Sequence, residues 1–409
     1  MTHVDMIRRR LRTLTFLEWL PGGLMFPVVA PLLLERGVDP VQIGMIFAVH
    51  AIVSAGFELP AGLLADLYGR KPVALCGAIT KTVGLGVLAL GAGLGAMVAA
   101  GALIGASRAA LSGTAESWFV DQASPAPEEV PRGLAGAEAG LGTGIASGAL
   151  AGGLLPLAGP QAGISATAVP IALACALAAV HGIAIAVLMT GPPHRRTAGA
   201  SPGNRAVFQH FGDTIRRPAV RAVLYAGCGA GMVAGALETL WPVSAIRLLG
   251  AQTAPTFYSV VIVCGMTLSA FAATYLTKIA QSFGPVRIVL ILMIVAAVGC
   301  ATLMPLASPV ALAAAFVTFH AALAGSTPTT GGWLHSMVTD DHRASTVSAV
   351  ALSGAIGAGI GATAVPAIAG THGEWFAWVT VAGAFLLASL PLILRYGPRL
   401  VTPEIHSGA

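Results

Sequence analysis

The chain has 409 residues, 56% of them hydrophobic and only 10% charged, with 22 Lys and Arg against 17 Asp and Glu. Average globular domains carry roughly 25% charged residues. A chain this long with so few charges cannot cover itself with polar surface, which excludes an ordinary soluble protein and makes the bilayer most of its solvent.

A membrane span takes about 20 consecutive apolar residues. In chain order such stretches fall at 14–34, 41–62, 73–94, 97–118, 136–157 and 166–189, then at 222–243, 256–276, 286–306, 310–334, 347–369 and 374–394. The pattern predicts an all-α integral membrane protein of twelve transmembrane helices. One long polar stretch, 190–221, rich in Pro, Gly and Arg, divides them into two groups of six. The expected domains are an N-terminal six-helix bundle (1–189), a cytoplasmic central loop (190–221), a C-terminal six-helix bundle (222–394) and a cytoplasmic tail (395–409). Turn positions recur between the halves: Gly69 and Gly284 stand 215 residues apart, Arg132 and Arg343 stand 211 apart. Such similar offsets predict two pseudo-symmetric repeats, the layout of transporters that rock two halves about a central site.

The basic residues orient the spans. Of the 22, 18 fall on the side of the termini and the central loop, including Arg8, Arg9, Arg10, Arg12, Arg70, Lys71 and Arg132. Only Arg36 and Arg247 face the other side, and Lys81 and Arg108 lie inside spans. This asymmetry predicts that both termini are cytoplasmic, in a bacterial inner membrane. The basic balance follows from that topology and does not point to nucleic acid. No small-residue cleavage site precedes the first span, which is expected to act as an uncleaved insertion signal. The five cysteines (Cys76, Cys175, Cys228, Cys264, Cys300) fall inside spans and read as packing residues.

The sharpest local pattern follows the second span: Gly62-Leu63-Leu64-Ala65-Asp66-Leu67-Tyr68-Gly69-Arg70-Lys71. Glycines permit a tight turn there, and Asp66, Arg70 and Lys71 can pair with each other, with helix ends or with lipid phosphates. The run resembles the signature loop of the major facilitator superfamily, G-x-L-A-D-R/K-x-G-R/K-R/K, departing from it at Leu67. In the fifth span, Gly144-Ile145-Ala146-Ser147-Gly148-Ala149-Leu150-Ala151-Gly152-Gly153 resembles that superfamily's antiporter signature, G-x-x-x-G-P-x-x-G-G, with Ala149 in place of the proline. Small residues at every fourth position let two helices approach closely. Glu58-Leu59-Pro60-Ala61-Gly62 and the run from Ser112 through Glu116 to Asp121 resemble a subgroup of bacterial drug exporters, and Arg108 is similar to the span-four arginine of proton antiporters. The resemblance implies a two-bundle transporter with a cytoplasmic gate of Gly62, Asp66, Gly69, Arg70 and Lys71, joined by Glu58, Glu116 and Asp121, and a packing seam at Gly144, Gly148, Gly152 and Gly153.

Charges at membrane depth are expensive and mark function. Glu18, Glu58, Glu116 and Glu238 are the acids within spans, against Lys81 and Arg108. Four acids against two bases leave carboxylates without a basic partner, which makes them candidates for reversible protonation. Glu18, Arg108, Glu238 and Lys81 are the expected coupling and cavity residues. Trp19, Phe26, His50, Tyr225, Trp241, Tyr258, Phe319 and His320 are the expected substrate-lining residues, while His181 reads as a packing residue.

Missing residue types narrow the cargo. The chain holds one asparagine, Asn204, in the central loop, and its glutamines lie in loops or at span ends. Sugar hydroxyls need several amides and carboxylates, because unpaired polar atoms are costly. The expected cargo is therefore a lipophilic or amphipathic small molecule. There is no phosphate-binding G-x-x-x-x-G-K-[ST] run and no H-E-x-x-H pair, so the chain does not read as an enzyme. The expectation is proton-coupled efflux by a monomer, needing no cofactor beyond a proton gradient, with sodium as the alternative ion. A proton symporter for a small organic acid is the second reading, and a transporter-like lipid flippase or sensor the third.

Overall fold

The structure, a computed structural model, describes residues 3–123, 129–160, 163, 165–190, 216, 218–283, 285–303, 306–337 and 340–396. In chain order the helices are α1 (His3–Met25), α2 (Val29–Glu35), α3 (Pro40–Tyr68), α4 (Arg70–Leu90), α5 (Gly93–Leu111), α6 (Thr114–Ala123), α7 (Val130–Leu154) and α8 (Ala168–Leu188). They continue as α9 (Pro218–Leu249), α10 (Ala254–Phe283), α11 (Pro285–Leu303), α12 (Pro309–Met337), α13 (Asp340–His372) and α14 (Glu374–Tyr396). Among the described residues, 11 stretches are long and apolar enough to cross a membrane, and Arg287–Leu303 is a shorter apolar helix at the ninth predicted position. The all-helical, multi-span architecture read from hydropathy is present.

Three boundaries differ from the sequence reading. The first span is two helices, α1 and α2, parted at Phe26–Val28 beside Pro27. The fourth is broken at Ser112–Gly113, where Gly113 takes φ +65°, so Glu116 rides on the separate α6. The signature run is mostly not a loop: α3 continues through Tyr68, and only Gly69, at φ +98°, makes the turn into α4. That backbone conformation favours glycine, which has no Cβ to clash.

The chain forms two compact units: Met1–Ala200 with Glu238–Val263, and Ser201–Leu237 with Cys264–Ala409. In the first, α1 and α7 pack along a ladder of glycines. A Cβ on Gly140 would stand 2.7 Å from the Arg12 carbonyl oxygen, and one on Gly144 2.7 Å from that of Phe16. Gly148 and Gly152 meet the Leu20 and Leu24 carbonyls more tightly still. Both partners step by four residues, one helical turn, so the ladder fixes the helices in depth and rotation. The second unit uses the same device between α9 and α13, where Gly231 and Gly235 face the carbonyls of Gly354 and Ala358, and Gly357 and Gly361 face those of Cys228 and Met232. Gly144, Gly148 and Gly152 of the expected seam lie in the first ladder, which adds Gly140 and leaves out Gly153; the second is not among the expectations, although Gly231-x-x-x-Gly235 and Gly357-x-x-x-Gly361 carry the same spacing signal.

At the end of the first unit where α2 stops, two neighbouring residues clasp two other helices. Arg36 donates to the Leu88 carbonyl at 2.6 Å and the Ala89 carbonyl at 2.5 Å, closing the C-terminus of α4, and Glu35 accepts from Thr167 before α8 at 2.5 Å. A guanidinium suits carbonyls that have no helical partner. Burial lowers the Arg36 pKa from its usual value while Glu35 acts the other way, and the side chain stays charged.

Two outcomes follow for purified protein in detergent. Gly148→Leu drives a side chain into the Leu20 backbone and costs about 3 kcal/mol or more; Gly142→Leu, where a Cβ meets nothing within 4 Å, leaves the melting temperature within error. Arg36→Ala strands the α4 carbonyls and costs about 1.5 kcal/mol, a loss that Arg36→Lys restores only in part because one ammonium cannot reproduce the two-pronged contact.

Candidate functional site

The buried stripe of α1 runs Leu11, Leu14, Thr15, Glu18 and Pro21, the three- and four-residue spacing of a helix face turned inward. Glu18 interrupts that stripe with a carboxylate at 6% exposure. It is the only acidic side chain among the described residues buried to that degree. No described residue donates a hydrogen bond to its carboxylate. Its electrostatic neighbours are Lys81, Arg108 and Glu116, in that order of strength.

Each base reaches Glu18 from a different helix. Lys81, on α4, donates from Nζ to the backbone carbonyl of Glu18. Arg108, near the end of α5, lays its guanidinium over the half-buried Trp19 ring, 4.6 Å from the centroid. A cation over an indole face is held by the ring quadrupole, and this one remains exposed. α5 can sit this near because Gly105 lies against the His50 backbone of α3, where a Cβ would collide with it; His50 is in turn an electrostatic neighbour of Arg108.

Opposite them, α8 contributes His181, 2% exposed, whose Nδ1 has no hydrogen-bond partner among the described residues and whose charged neighbour is Lys81. The sequence reading assigns His181 to packing; only its place beside Lys81 in space singles it out. Five helices thus bring Glu18, Trp19, His50, Lys81, Arg108 and His181 together.

Glu238 stands apart on α9, its side chain exposed between buried Leu237 and Thr239. Beside it is an aromatic stack: the Trp241 ring lies parallel to Phe257 at 5.9 Å and tilted to Tyr258 at 4.5 Å. Glu238 and Tyr258 are electrostatic neighbours. Trp241 is fully enclosed at 0% exposure, so its contribution is to support Tyr258 and Phe257. Phe26 is half-buried at the break between α1 and α2.

The remaining expected lining residues lie in the second unit. Phe319 is packed in its interior at 2% exposure. His320 is satisfied through Nδ1 by the Phe316 carbonyl at 2.9 Å and stacks on the Phe316 ring at 4.0 Å. Tyr225 is 53% exposed near the start of α9.

The expected gate residues divide. Arg70 pairs with Asp66 at 3.1 Å and with Asp121 of α6 at 3.8 Å, tying the α3–α4 turn to α6. Lys71 donates at 2.6 Å to the Ala186 carbonyl near the C-terminus of α8, where a cation complements the helix dipole. Glu58 accepts from Ser112 at 3.5 Å, the long limit of a hydrogen bond, and neither it nor Glu116 makes an ion pair among the described residues. Gly62 lies inside α3, where a Cβ would meet nothing within 4 Å. Of the seam residues, Gly153 faces away from α1 toward α10: a Cβ there would stand 2.5 Å from the Ser259 Cβ, and Thr256 donates to the Gly153 carbonyl at 2.8 Å.

Comparisons with known proteins agree with this architecture. A mutant of the nucleoside transporter NupG superposes over 95% of this chain and 100% of its own, with a TM-score of 0.80 at 15% identity. A POT family transporter in complex with 5-aminolevulinic acid superposes over 97% and 96% (TM-score 0.75, 12% identity), and a bacterial homologue of the human lysosomal transporter Spinster over 98% and 99% (TM-score 0.74, 14% identity). At these identities the likeness is one of fold. In sequence, an uncharacterised MFS-type transporter of Methanocaldococcus jannaschii is 33% identical over 63 residues, which span 15% of this chain and 16% of that protein. Residues 13–317, well over half of the chain, match the model of the Major Facilitator Superfamily. The chain belongs to the Major Facilitator Superfamily and is a multi-span membrane transporter.

Proposed function

We propose that this protein is a proton-coupled exporter of a lipophilic or amphipathic small molecule, working as a monomer by alternating access of two six-helix halves in a bacterial inner membrane, with both termini cytoplasmic. The observation that carries the reading is Glu18: a carboxylate inside the membrane span, enclosed, without a hydrogen-bond donor among the described residues, and flanked by Lys81 and Arg108. An ionised group is tolerated in so poor a solvent only while opposite charge is close. When Glu18 is ionised it offsets one of the two bases. When it gains a proton, Lys81 and Arg108 are left as like charges on α4 and α5, and the arrangement that suited the ionised acid no longer does. Taking up a proton from the outer side and releasing it inside therefore drives the exchange between facings, and cargo leaves in the protonated state. Glu238 with Tyr258 is the second acid in this scheme. Asp66, Arg70 and Asp121 act as the cytoplasmic latch.

The cargo class rests on the absence of amides at membrane depth and on the half-buried Trp19 ring, which follows Glu18 in the chain; Tyr258, expected to line the cavity, is buried at 8% exposure. Arg108 favours one other reading. Its guanidinium is exposed on the Trp19 platform, placed to take a carboxylate, which would suit a proton symporter importing a small organic acid.

Everted membrane vesicles separate the two: acidifying the lumen makes an exporter accumulate a fluorescent amphipathic cation such as ethidium, whereas an importer of organic acids leaves it outside. In proteoliposomes Glu18→Gln lowers uptake driven by a pH gradient at least about tenfold, the scale of losing one essential proton-transfer group, while counterflow exchange at equal pH persists. Gradient-driven transport that survives the substitution would remove Glu18 from the coupling step.

A further inference from the structure

At the end of the second unit where α9 begins and α14 finishes, Pro218, Arg221, Ala222, Tyr225, Pro391 and Leu394 line a groove of about 500 Å³. Ala222 is buried at its floor; Arg221 and Tyr225, one helical turn apart on α9, are exposed along one wall, and Pro391 and Leu394 of α14 along the other. Arg221 has no ion pair or hydrogen bond to any described residue, so its charge is offered outward. Below it, α14 continues as an exposed apolar stripe of Leu387 and Leu390, 70% and 42% exposed, the surface a membrane helix turns to acyl chains. The groove therefore has a cation and a phenol at its mouth and hydrocarbon-facing residues along its length, the amphipathic profile of a phospholipid.

We propose that this groove binds one anionic glycerophospholipid, its phosphate against Arg221, its glycerol backbone beside Tyr225 and an acyl chain along Leu394, Leu390 and Leu387. A soluble anion would use the guanidinium but gain nothing from the stripe; a zwitterionic lipid would gain the stripe but bring its own cation to Arg221. Basic pockets between transmembrane helices recognise anionic headgroups through this combination, and tyrosine settles at the headgroup level because its ring is apolar and its hydroxyl wet. On the orientation proposed above the leaflet is the cytoplasmic one; the binding itself does not depend on that orientation or on proton coupling.

Native mass spectrometry of the full chain, titrated with phosphatidylglycerol or phosphatidylcholine, tests it. The wild type retains one phosphatidylglycerol more tightly than Arg221→Gln by about fivefold, the worth of one arginine at an anionic surface, and phosphatidylcholine binds both proteins equally. Glycerol phosphate and inorganic phosphate at millimolar concentration do not displace the lipid. Leu394→Trp, which fills the groove and keeps the charge, also loses the bound phosphatidylglycerol, and it serves as the deciding variant if Arg221→Gln melts early in phosphatidylcholine nanodiscs. Equal phosphatidylglycerol binding by wild type and Leu394→Trp, or by wild type and a folded Arg221→Gln, overturns the proposal, as does full displacement by glycerol phosphate, which would make this a soluble-anion site.

Discussion

In hydrocarbon an apolar side chain gains little by exchanging lipid for protein, so what binds one membrane helix to another is how near their backbones come. The Gly140, Gly144, Gly148 and Gly152 ladder against Arg12, Phe16, Leu20 and Leu24 sets that nearness for α1 and α7. It also decides the chemistry. Glu18 and Trp19 lie between Phe16 and Leu20, two of the carbonyls seated on glycine. With those rungs engaged α1 cannot rotate, and the neighbouring positions are aimed at α4 and α5. The site's geometry is therefore inherited from a contact in which none of its own side chains takes part.

Against that rigid frame most polar side chains look inward to their own helix. Thr15, Thr80, Thr82, Thr143 and Ser147 each donate to a carbonyl four residues back. Such bonds satisfy the hydroxyl without a partner helix and withdraw it from any cavity. Among the described residues, groups without such a local partner include the Glu18 carboxylate, the Arg108 guanidinium on its aromatic seat, and the His181 Nδ1. A membrane protein that neutralises its hydroxyls locally makes the remaining charges the ones able to respond to a proton or a ligand.

Much of this is legible in the sequence because the bilayer imposes length and polarity on every span, and the first glycine ladder is visible as spacing. The finer features are not. Hydropathy passes smoothly over Phe26–Val28 and Ser112–Gly113, since a break that keeps its residues apolar leaves no polar mark, and so Glu116 falls on the wrong helix. Arg36 reads as an exception to the charge asymmetry; its reason, the open carbonyls of α4, lies more than fifty residues away in the chain. The aromatic residues are the least readable. Trp241 and Phe319 have the composition of a binding surface, yet both are sealed, because an indole or phenyl ring serves the core as well as it serves a cavity. His181 escapes notice for the converse reason: one imidazole among apolar neighbours says nothing until the charge beside it is known.

Lys81 holds α1 by a main-chain oxygen, a group that every amino acid supplies at position 18. That hydrogen bond is thus available whatever side chain stands at position 18. On the coupling proposed above, a proton on Glu18 removes the charge attraction between the two side chains and leaves this hydrogen bond in place.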